Sequence, residues 1–126
     1  MSMDPINLYD YEDRAKLTLS HNDWDTIDAG AMDMFTTRRN RSAFEALTLR
    51  PRFLRDIENR DISTTMLGDK ISMPVFICPA GSHMKAHPEG EQATARGAGM
   101  SDTLMMLSTS SNCSMEEVAD AARGPL

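Results

Sequence analysis

The first third of the chain has apolar residues at the three- and four-residue spacing of amphipathic helices. One series begins just after Asn7, whose side chain can cap the first turn of a helix. Its apolar members are Leu8, Tyr11, Ala15 and Leu19. Residues 20–23 have the Ser-x-x-Asp form of a capping signal, so a second helix is expected to begin near Trp24.

A third helix is predicted over residues 32–47, with its inward face formed by Phe35, Phe44 and Leu47. Pro51 ends this helical segment, because proline cannot continue a helix and holds the preceding residue in an extended conformation. Residues 61–71 then predict two short strands around a Gly68–Asp69 turn.

After Pro74 the pattern changes to that of an α/β protein. Residues 75–78 (Val-Phe-Ile-Cys) form an apolar run without alternation, which is typical of a strand covered on both faces. The strand runs into a turn of small residues at 79–81. A helix is expected next, with Pro88 as its first residue, because proline is tolerated at that position.

A second such pair follows directly. Residues 104–107 (Leu-Met-Met-Leu) predict another buried strand, and residues 114–117 have the form of a capping box that opens another helix. The order strand, helix, strand, helix implies parallel strands joined by right-handed crossovers. Two strands cannot bury a parallel sheet by themselves, because such a sheet needs neighbours on both sides.

The predicted fold class is therefore α/β, with an N-terminal helical segment and the first two β/α units of a (β/α)8 TIM barrel that is incomplete in this chain. A complete barrel typically takes roughly 250 residues, and the chain has 126. We expect a helical segment over residues 1–48, an extended and hairpin segment over 49–73, and the two barrel units over 74–126.

The formal net charge of −6 and the pI near 4.9 exclude nucleic acid and anionic membranes as expected partners, because phosphate groups are bound by clustered cations. The basic cluster at residues 38–41 is interpreted as a solvated or subunit-facing helix surface, with an anion contact as the alternative. No apolar run reaches the length of a membrane span, and the acidic N-terminus lacks a signal-peptide core. We expect an intracellular, cytoplasmic protein.

Neither cysteines nor histidines suggest a metal centre. Cys78 and Cys113 are too few for a disulfide framework and are predicted to be buried thiols. His83 and His87 are four residues apart, but no third ligand lies nearby in the sequence, so no metal is expected.

The chain also contains a series of short motifs in a characteristic order, at residues 7–11, 29–31, 40–44, 49–52, 64–68, 71–74, 86–91 and 114–119. With these motifs it resembles, over nearly its whole length, the N-terminal portion of the FMN-dependent 2-hydroxy-acid oxidase and dehydrogenase family. That family includes glycolate oxidase, lactate oxidase, lactate monooxygenase and mandelate dehydrogenase.

The resemblance implies FMN as the cofactor and assigns site residues. Pro79, Ala80 and Gly81 match the turn that passes beneath the flavin ring, where small residues let the backbone approach closely. The N–H at Gly81 would face the reactive ring nitrogen and favour the reduced flavin. Ser108 matches a position that hydrogen-bonds the carbonyl edge of the ring. Taken without the resemblance, these residues indicate only ordinary strand-end turns.

Three positions depart from the family pattern. Thr26 stands where the family usually has a tyrosine that binds the substrate carboxylate, and its hydroxyl has a shorter reach. Ser110 stands where glycolate oxidases have a large aromatic residue in the substrate pocket. Gly81 replaces an alanine found in many oxidases, which favours a monooxygenase or dehydrogenase type. The changes at Thr26 and Ser110 imply a larger cavity, or a substrate carboxylate that is bound differently or absent.

The family's general base is a histidine in a late barrel strand, and neither this histidine nor the nearby arginine has a counterpart here. The resemblance therefore predicts no catalytic residue in this chain, and no activity for the chain alone. The predicted function is part of an FMN-dependent oxidoreductase that oxidises a 2-hydroxy acid or a related hydroxyl-bearing small molecule by hydride transfer to FMN. The expected partners are a polypeptide that completes the barrel, or further copies of the chain in a homo-oligomer. The alternative is a truncated, non-catalytic family member that acts as a binding or assembly module.

Overall fold

A computed structural model describes residues 4–126 of the chain. These residues form two compact units, of which the first ends at Asn59 and the second spans Arg60–Leu126. Within the described residues no helix is long and apolar enough to cross a bilayer.

The first unit contains three helices: α1 (Leu8–Thr18), α2 (His21–Asp28) and α3 (Phe35–Glu45). The Asn7 side chain accepts the N–H groups of Tyr9 and Asp10 at 2.8 and 3.2 Å, and the Asp10 carboxylate accepts the Asn7 N–H. Ser20 accepts the Asp23 N–H at 3.2 Å at the start of α2. The predicted Asn7 cap and the capping signal at Ser20 are thus confirmed by their hydrogen bonds. The second helix begins at His21, directly after its cap, and not near Trp24 as predicted.

The third helix differs from the prediction in two ways. It begins at Phe35 because Met34 adopts a left-handed conformation (φ 56°) that a helix cannot include. Phe35, Phe44 and Leu47 were predicted to face inward, which is wrong: they are 69, 78 and 72% exposed. No described residue of the first unit is buried. These short helices therefore enclose no core that could cover the aromatic side chains.

One residue of the basic cluster connects two helices. The Arg41 guanidinium on α3 forms an ion pair with Glu12 on α1 and lies 5.1 Å from the centre of the Tyr9 ring. The contact combines a charge-assisted hydrogen bond with a cation–π interaction. Arg41 is therefore used inside the unit and is not a fully solvated charge.

The second unit begins with a β-hairpin of β1 (Thr64–Met66) and β2 (Asp69–Ile71), with Thr64 opposite Ile71. The turn consists of Leu67 and Gly68, with φ values of 54° and 101°, as in the two-residue turns that match strand twist. The predicted hairpin is confirmed, and its turn lies one residue earlier than expected.

The two predicted barrel strands pair in parallel but only over a short stretch. Ile77 and Met105 form an isolated parallel bridge, in which the Ile77 N–H donates to Leu104 O at 2.9 Å and the Met106 N–H donates to Ile77 O at 3.0 Å. On the other side, the Met105 N–H donates to Pro125 O at 3.3 Å. Pro125 thus lies beside Met105 on the side opposite Ile77.

This arrangement explains why only one of the two segments is buried. Leu104 and Met105 are each 1% exposed, because residues 104–107 have neighbours on both sides. Val75 and Ile77 remain 63 and 39% exposed, so the prediction that residues 75–78 are covered on both faces is wrong. Residues 75–78 lie at an edge, where the described chain supplies only one neighbour.

Two α-helices, α4 (Gly90–Met100) and α5 (Met115–Ala121), follow the parallel segments, and a 3₁₀ turn occupies His83–Lys85. Pro88 is not the first residue of α4, contrary to the prediction. The Gly90 N–H donates to His87 O at 2.9 Å, which makes Pro88 the second residue of a tight turn before the helix. Proline favours that position because its φ is already set.

The core of the second unit lies between α4, α5 and residues 104–107. Its buried members are Ala95, Ala98, Met105, Cys113 and Val118. The prediction of a buried thiol is confirmed for Cys113 and wrong for Cys78, which lies on the exposed edge segment. The order of extended segments and helices agrees with a partial α/β fold, as predicted.

Candidate functional site

Two loops follow the parallel segments and lie side by side. We call residues 79–85 the first strand-end loop and residues 108–113 the second strand-end loop. The Ser82 N–H donates to Ser110 O at 3.1 Å, and the Met84 N–H donates to the Asn112 side-chain oxygen at 3.1 Å. The structure thus brings the Pro79–Ala80–Gly81 turn next to the turn that contains Ser108.

Gly81 touches the second strand-end loop directly. A Cβ atom added to Gly81 would lie 2.6 Å from Ser110 Cβ and 2.6 Å from Ser110 O, which is far closer than non-bonded atoms approach. A larger residue at this position would therefore require the second strand-end loop to move. The N–H groups of Ala80 and Gly81 make no hydrogen bond to any of residues 4–126, and they remain as donors on an exposed turn.

Ser108 is half-buried at the end of the second parallel segment. Its hydroxyl oxygen accepts the Ser110 N–H at 3.1 Å, which leaves the hydroxyl proton to donate elsewhere. Ser108 also lines a cavity of about 290 Å³ together with residues of the second strand-end loop and the start of α5. Two exposed N–H donors and one hydroxyl donor are thus available at neighbouring strand ends, and such donors fit the nitrogen and carbonyl acceptors of a flavin ring.

Glu91, in the first turn of α4, is a buried carboxylate that the sequence did not distinguish from the exposed Glu89. It is 0% exposed, and its Oε1 accepts the N–H groups of His83 at 3.1 Å and Asn112 at 3.2 Å. Burial alone raises the pKa of Glu91, but the N–H groups of His83, Glu91 and Asn112, with the Cys113 thiol, lower it to about 2. The only sequence signal was its place in the motif at residues 86–91.

This pKa makes the second unit sensitive to acid. Glu91 binds a proton less readily in the folded chain than in the unfolded chain, so its stabilising effect is complete above about pH 4.5 and is lost as the pH falls towards about 2. We expect the thermal midpoint of the wild type to fall more steeply across this range than that of Glu91→Gln, which cannot titrate. Circular dichroism melts at several pH values check this, and equal slopes for the two proteins would contradict it.

His83 in the first strand-end loop, and His87 two residues after the loop, both have local hydrogen bonds. His83 Nδ1 lies 3.0 Å from Thr94 Oγ1 on α4, and His87 Nδ1 accepts the Glu89 N–H at 3.2 Å. Among residues 4–126, no three His, Cys, Asp or Glu side chains are grouped closely enough to hold a metal ion.

Thr26 belongs to the first unit, whereas residues 79–81 and Ser108 belong to the second. It lies on α2, and its hydroxyl donates to the Asn22 carbonyl at 2.8 Å within the same helix. The hydroxyl would have to rotate away from this bond before it could donate to a substrate. Its predicted role in substrate binding remains a prediction.

Comparison with known proteins identifies relatives over almost the whole chain. A sequence model of the family described as FMN-dependent dehydrogenase matches residues 15–126. The chain is 44% identical over 117 residues to the peroxisomal (S)-2-hydroxy-acid oxidase of Oryza sativa subsp. indica. This alignment covers 93% of this chain and 32% of that protein. It is 45% identical over 122 residues to the glycolate oxidase of Spinacia oleracea, with 97% of this chain and 33% of that protein covered.

Solved structures give the same result. The recombinant flavin-binding domain of baker's yeast flavocytochrome b2 matches with a TM-score of 0.88 and 37% identity, covering 94% of this chain and 31% of that chain. A soluble mutant of the membrane-associated (S)-mandelate dehydrogenase from Pseudomonas putida matches with a TM-score of 0.89 and 32% identity, covering 96% and 35%. The chain thus spans about a third of the length of the curated relatives it matches.

Proposed function

The chain belongs to the FMN-dependent dehydrogenase family, and from this membership we propose that it is the N-terminal part of an FMN-dependent oxidoreductase acting on a 2-hydroxy acid or a related hydroxyl-bearing molecule. The proposal is carried by the family match over residues 15–126, together with the contact of Gly81 with the second strand-end loop. The chain would supply the first two β/α units of a TIM barrel, behind the helical and hairpin segments.

In this proposal the chain binds and orients the flavin. The N–H groups of Ala80 and Gly81 would donate to the ring from the first strand-end loop, and the Ser108 hydroxyl would donate to a ring carbonyl. Bound FMN would supply the chemistry of hydride acceptance from the carbon that carries the hydroxyl group. The base that removes the hydroxyl proton, and the cation that binds a carboxylate, would come from outside residues 1–126.

The substrate is proposed to be larger than glycolate. Ser110 has a small side chain at a position where the family resemblance implies a large aromatic residue, and Gly81 lies against it without a Cβ atom. Thr26 would bind the substrate more weakly than the tyrosine it replaces. Rates on glycolate and on 2-hydroxy acids with longer side chains would test this, and preference for glycolate would contradict it.

The proposed partner is a polypeptide that completes the barrel. Its apolar residues would cover Val75 and Ile77, which lie at the exposed edge of the parallel segments. On the opposite side, the segment that ends at Leu126 would continue the sheet beyond residues 104–107. Assembly of such complexes into a homo-oligomer, and an intracellular, cytoplasmic location, remain predictions; several relatives are named as peroxisomal.

Native mass spectrometry of the purified material, followed by denaturation of the same sample, tests this function. We expect a complex that releases this chain, a second polypeptide of barrel-completing mass and one FMN for each pair. Oxidation of 2-hydroxy acids should require the complex, and the chain alone should show none. A flavin-free species made only of this chain would overturn the proposal and leave a non-catalytic binding or assembly module.

A further inference from the structure

We propose that Glu91 is a positioning residue that holds the two strand-end loops together, so that Gly81 and Ser108 present their donors to one ligand. The part that concerns flavin rests on the proposed function; the part that concerns the two loops does not. Glu91 itself would not touch the flavin.

The proposal rests on the two hydrogen bonds that one carboxylate oxygen of Glu91 accepts. Glu91 Oε1 accepts the His83 N–H from the first strand-end loop at 3.1 Å and the Asn112 N–H from the second at 3.2 Å. A single acceptor therefore bridges two loops that are far apart in sequence. Hydrogen bonds to a carboxylate are stronger than those between neutral groups, so this bridge fixes the separation of the loops.

The other contacts between the loops surround this bridge. The Ser82 N–H, next to His83, donates to Ser110 O at 3.1 Å, and the Met84 N–H donates to the Asn112 side chain at 3.1 Å. Gly81 touches Ser110 one residue before Ser82. Glu91 adds to these loop-to-loop contacts an attachment to α4, whose residues Ala95 and Ala98 form part of the core.

A comparison with α5 shows that helix capping alone does not require this burial. Glu117 also accepts a backbone N–H and a hydroxyl at the start of its helix, both from Ser114, and it does so while exposed. Glu91 instead is fully buried, and its Oε2 has no hydrogen-bond partner among residues 4–126. Burial of an oxygen without a hydrogen-bond partner is unfavourable in free energy. The position of Glu91 is therefore explained by the bridge that its other oxygen forms between the two loops, and not by helix capping.

Three variants of the full chain separate positioning from general stability. Glu91→Asp shortens the side chain by one carbon, so that one oxygen can no longer reach both N–H groups. Glu91→Gln retains an oxygen acceptor at the same reach but loses the charge. Glu117→Gln is the matched control, since it weakens a carboxylate cap that joins no loops.

The first measurement is amide hydrogen exchange by NMR, without flavin. In Glu91→Asp we expect the Ser82 and Met84 amides to exchange about tenfold faster, as follows from loss of a charge-assisted hydrogen bond. The amide of Ala122, the residue directly after α5, donates to Val118 O at 2.9 Å and should be unchanged. Glu91→Gln should lie between wild type and Glu91→Asp, and Glu117→Gln should leave the two loop amides unchanged.

The second measurement is FMN affinity, by quenching of flavin fluorescence, for the chain together with its barrel-completing polypeptide. We expect about tenfold weaker binding for Glu91→Asp, since small displacements of positioning groups have effects of this size or larger, and partial rescue by Glu91→Gln. Equal acceleration of loop and core amides would overturn the positioning role, and so would unchanged loop amides. Faster exchange confined to the loops, in a protein that binds no FMN, would support loop positioning by Glu91 and overturn the proposed function.

Discussion

Gly99→Ala should destabilise the second unit by about 2 kcal/mol, whereas Gly97→Ala in the same helix should stabilise it by about 0.5 kcal/mol. A Cβ atom at Gly99 would lie 2.6 Å from the Arg123 carbonyl carbon and 2.7 Å from Gly124 N. These are backbone atoms, which cannot rotate aside as a side chain can. A Cβ atom at Gly97 meets nothing within 4 Å, so alanine there gains only its better helix propensity.

Thermal melts of the two variants provide the measurement. We expect the midpoint of Gly99→Ala to fall by roughly 10 °C and that of Gly97→Ala to rise by a few degrees, given the size of the unit. Gly97→Ala is the matched control, because it makes the same chemical change two residues away. Similar midpoints for both variants would show that α4 does not pack against the chain end.

The contact at Gly99 also determines the position of the last residues of the chain. Gly124 lies against Gly99, with a Cβ atom on Gly124 reaching within 2.9 Å of the Gly99 Cα, and the next residue, Pro125, accepts the Met105 N–H at 3.3 Å. The Gly99→Ala change should therefore displace residues 123–126. Faster exchange of the Met105 amide in this variant would confirm that displacement.

Gly81→Ala should weaken FMN binding about 100-fold, because the added methyl group must displace the second strand-end loop by the order of 1 Å. The new Cβ atom would lie 2.6 Å from both the Cβ and the carbonyl oxygen of Ser110. Movement of Ser110 would break the Ser82 N–H···O bond of 3.1 Å and change the position of Ser108 relative to the first strand-end loop. Fluorescence titration of the assembled protein with FMN measures the effect.

A second substitution shows whether the steric contact is the cause. Ser110→Gly removes the Ser110 Cβ atom but leaves its carbonyl oxygen, so Gly81→Ala combined with Ser110→Gly should recover part of the lost affinity. Ser110→Gly alone should bind FMN nearly as the wild type does. Wild-type affinity in Gly81→Ala would mean that the second loop adapts without cost, and that glycine is not required at position 81.

The local features of the chain could be predicted well because they depend on residues close in sequence. The capping boxes of α1 and α5 join residues only three positions apart, Asn7 with Asp10 and Ser114 with Glu117. The hairpin depends on its own two turn residues. The family resemblance also lies in short motifs, and it identified the family that the comparisons show.

Burial was predicted less well because it depends on what covers each side chain. The pattern placed Phe35 and Phe44 on an inward face, and both are exposed in a unit without a described buried residue. The same kind of pattern placed Ile77 in a fully covered strand, and it lies at an edge. Periodicity shows which residues share a face, but it does not supply the surface that covers that face.

The sequence by itself determined the capping residues of α1, α2 and α5, the hairpin, the α/β order and the family, since each of these follows from neighbouring residues or from short motifs. Only the tertiary structure decided that Glu91 and not Glu89 is buried, and that Gly99 and not Gly97 contacts another backbone. Within each pair the residue type is the same and the positions are two apart. What differs is the distant segment that each one meets: residues 83 and 112 for Glu91, and residues 123–124 for Gly99.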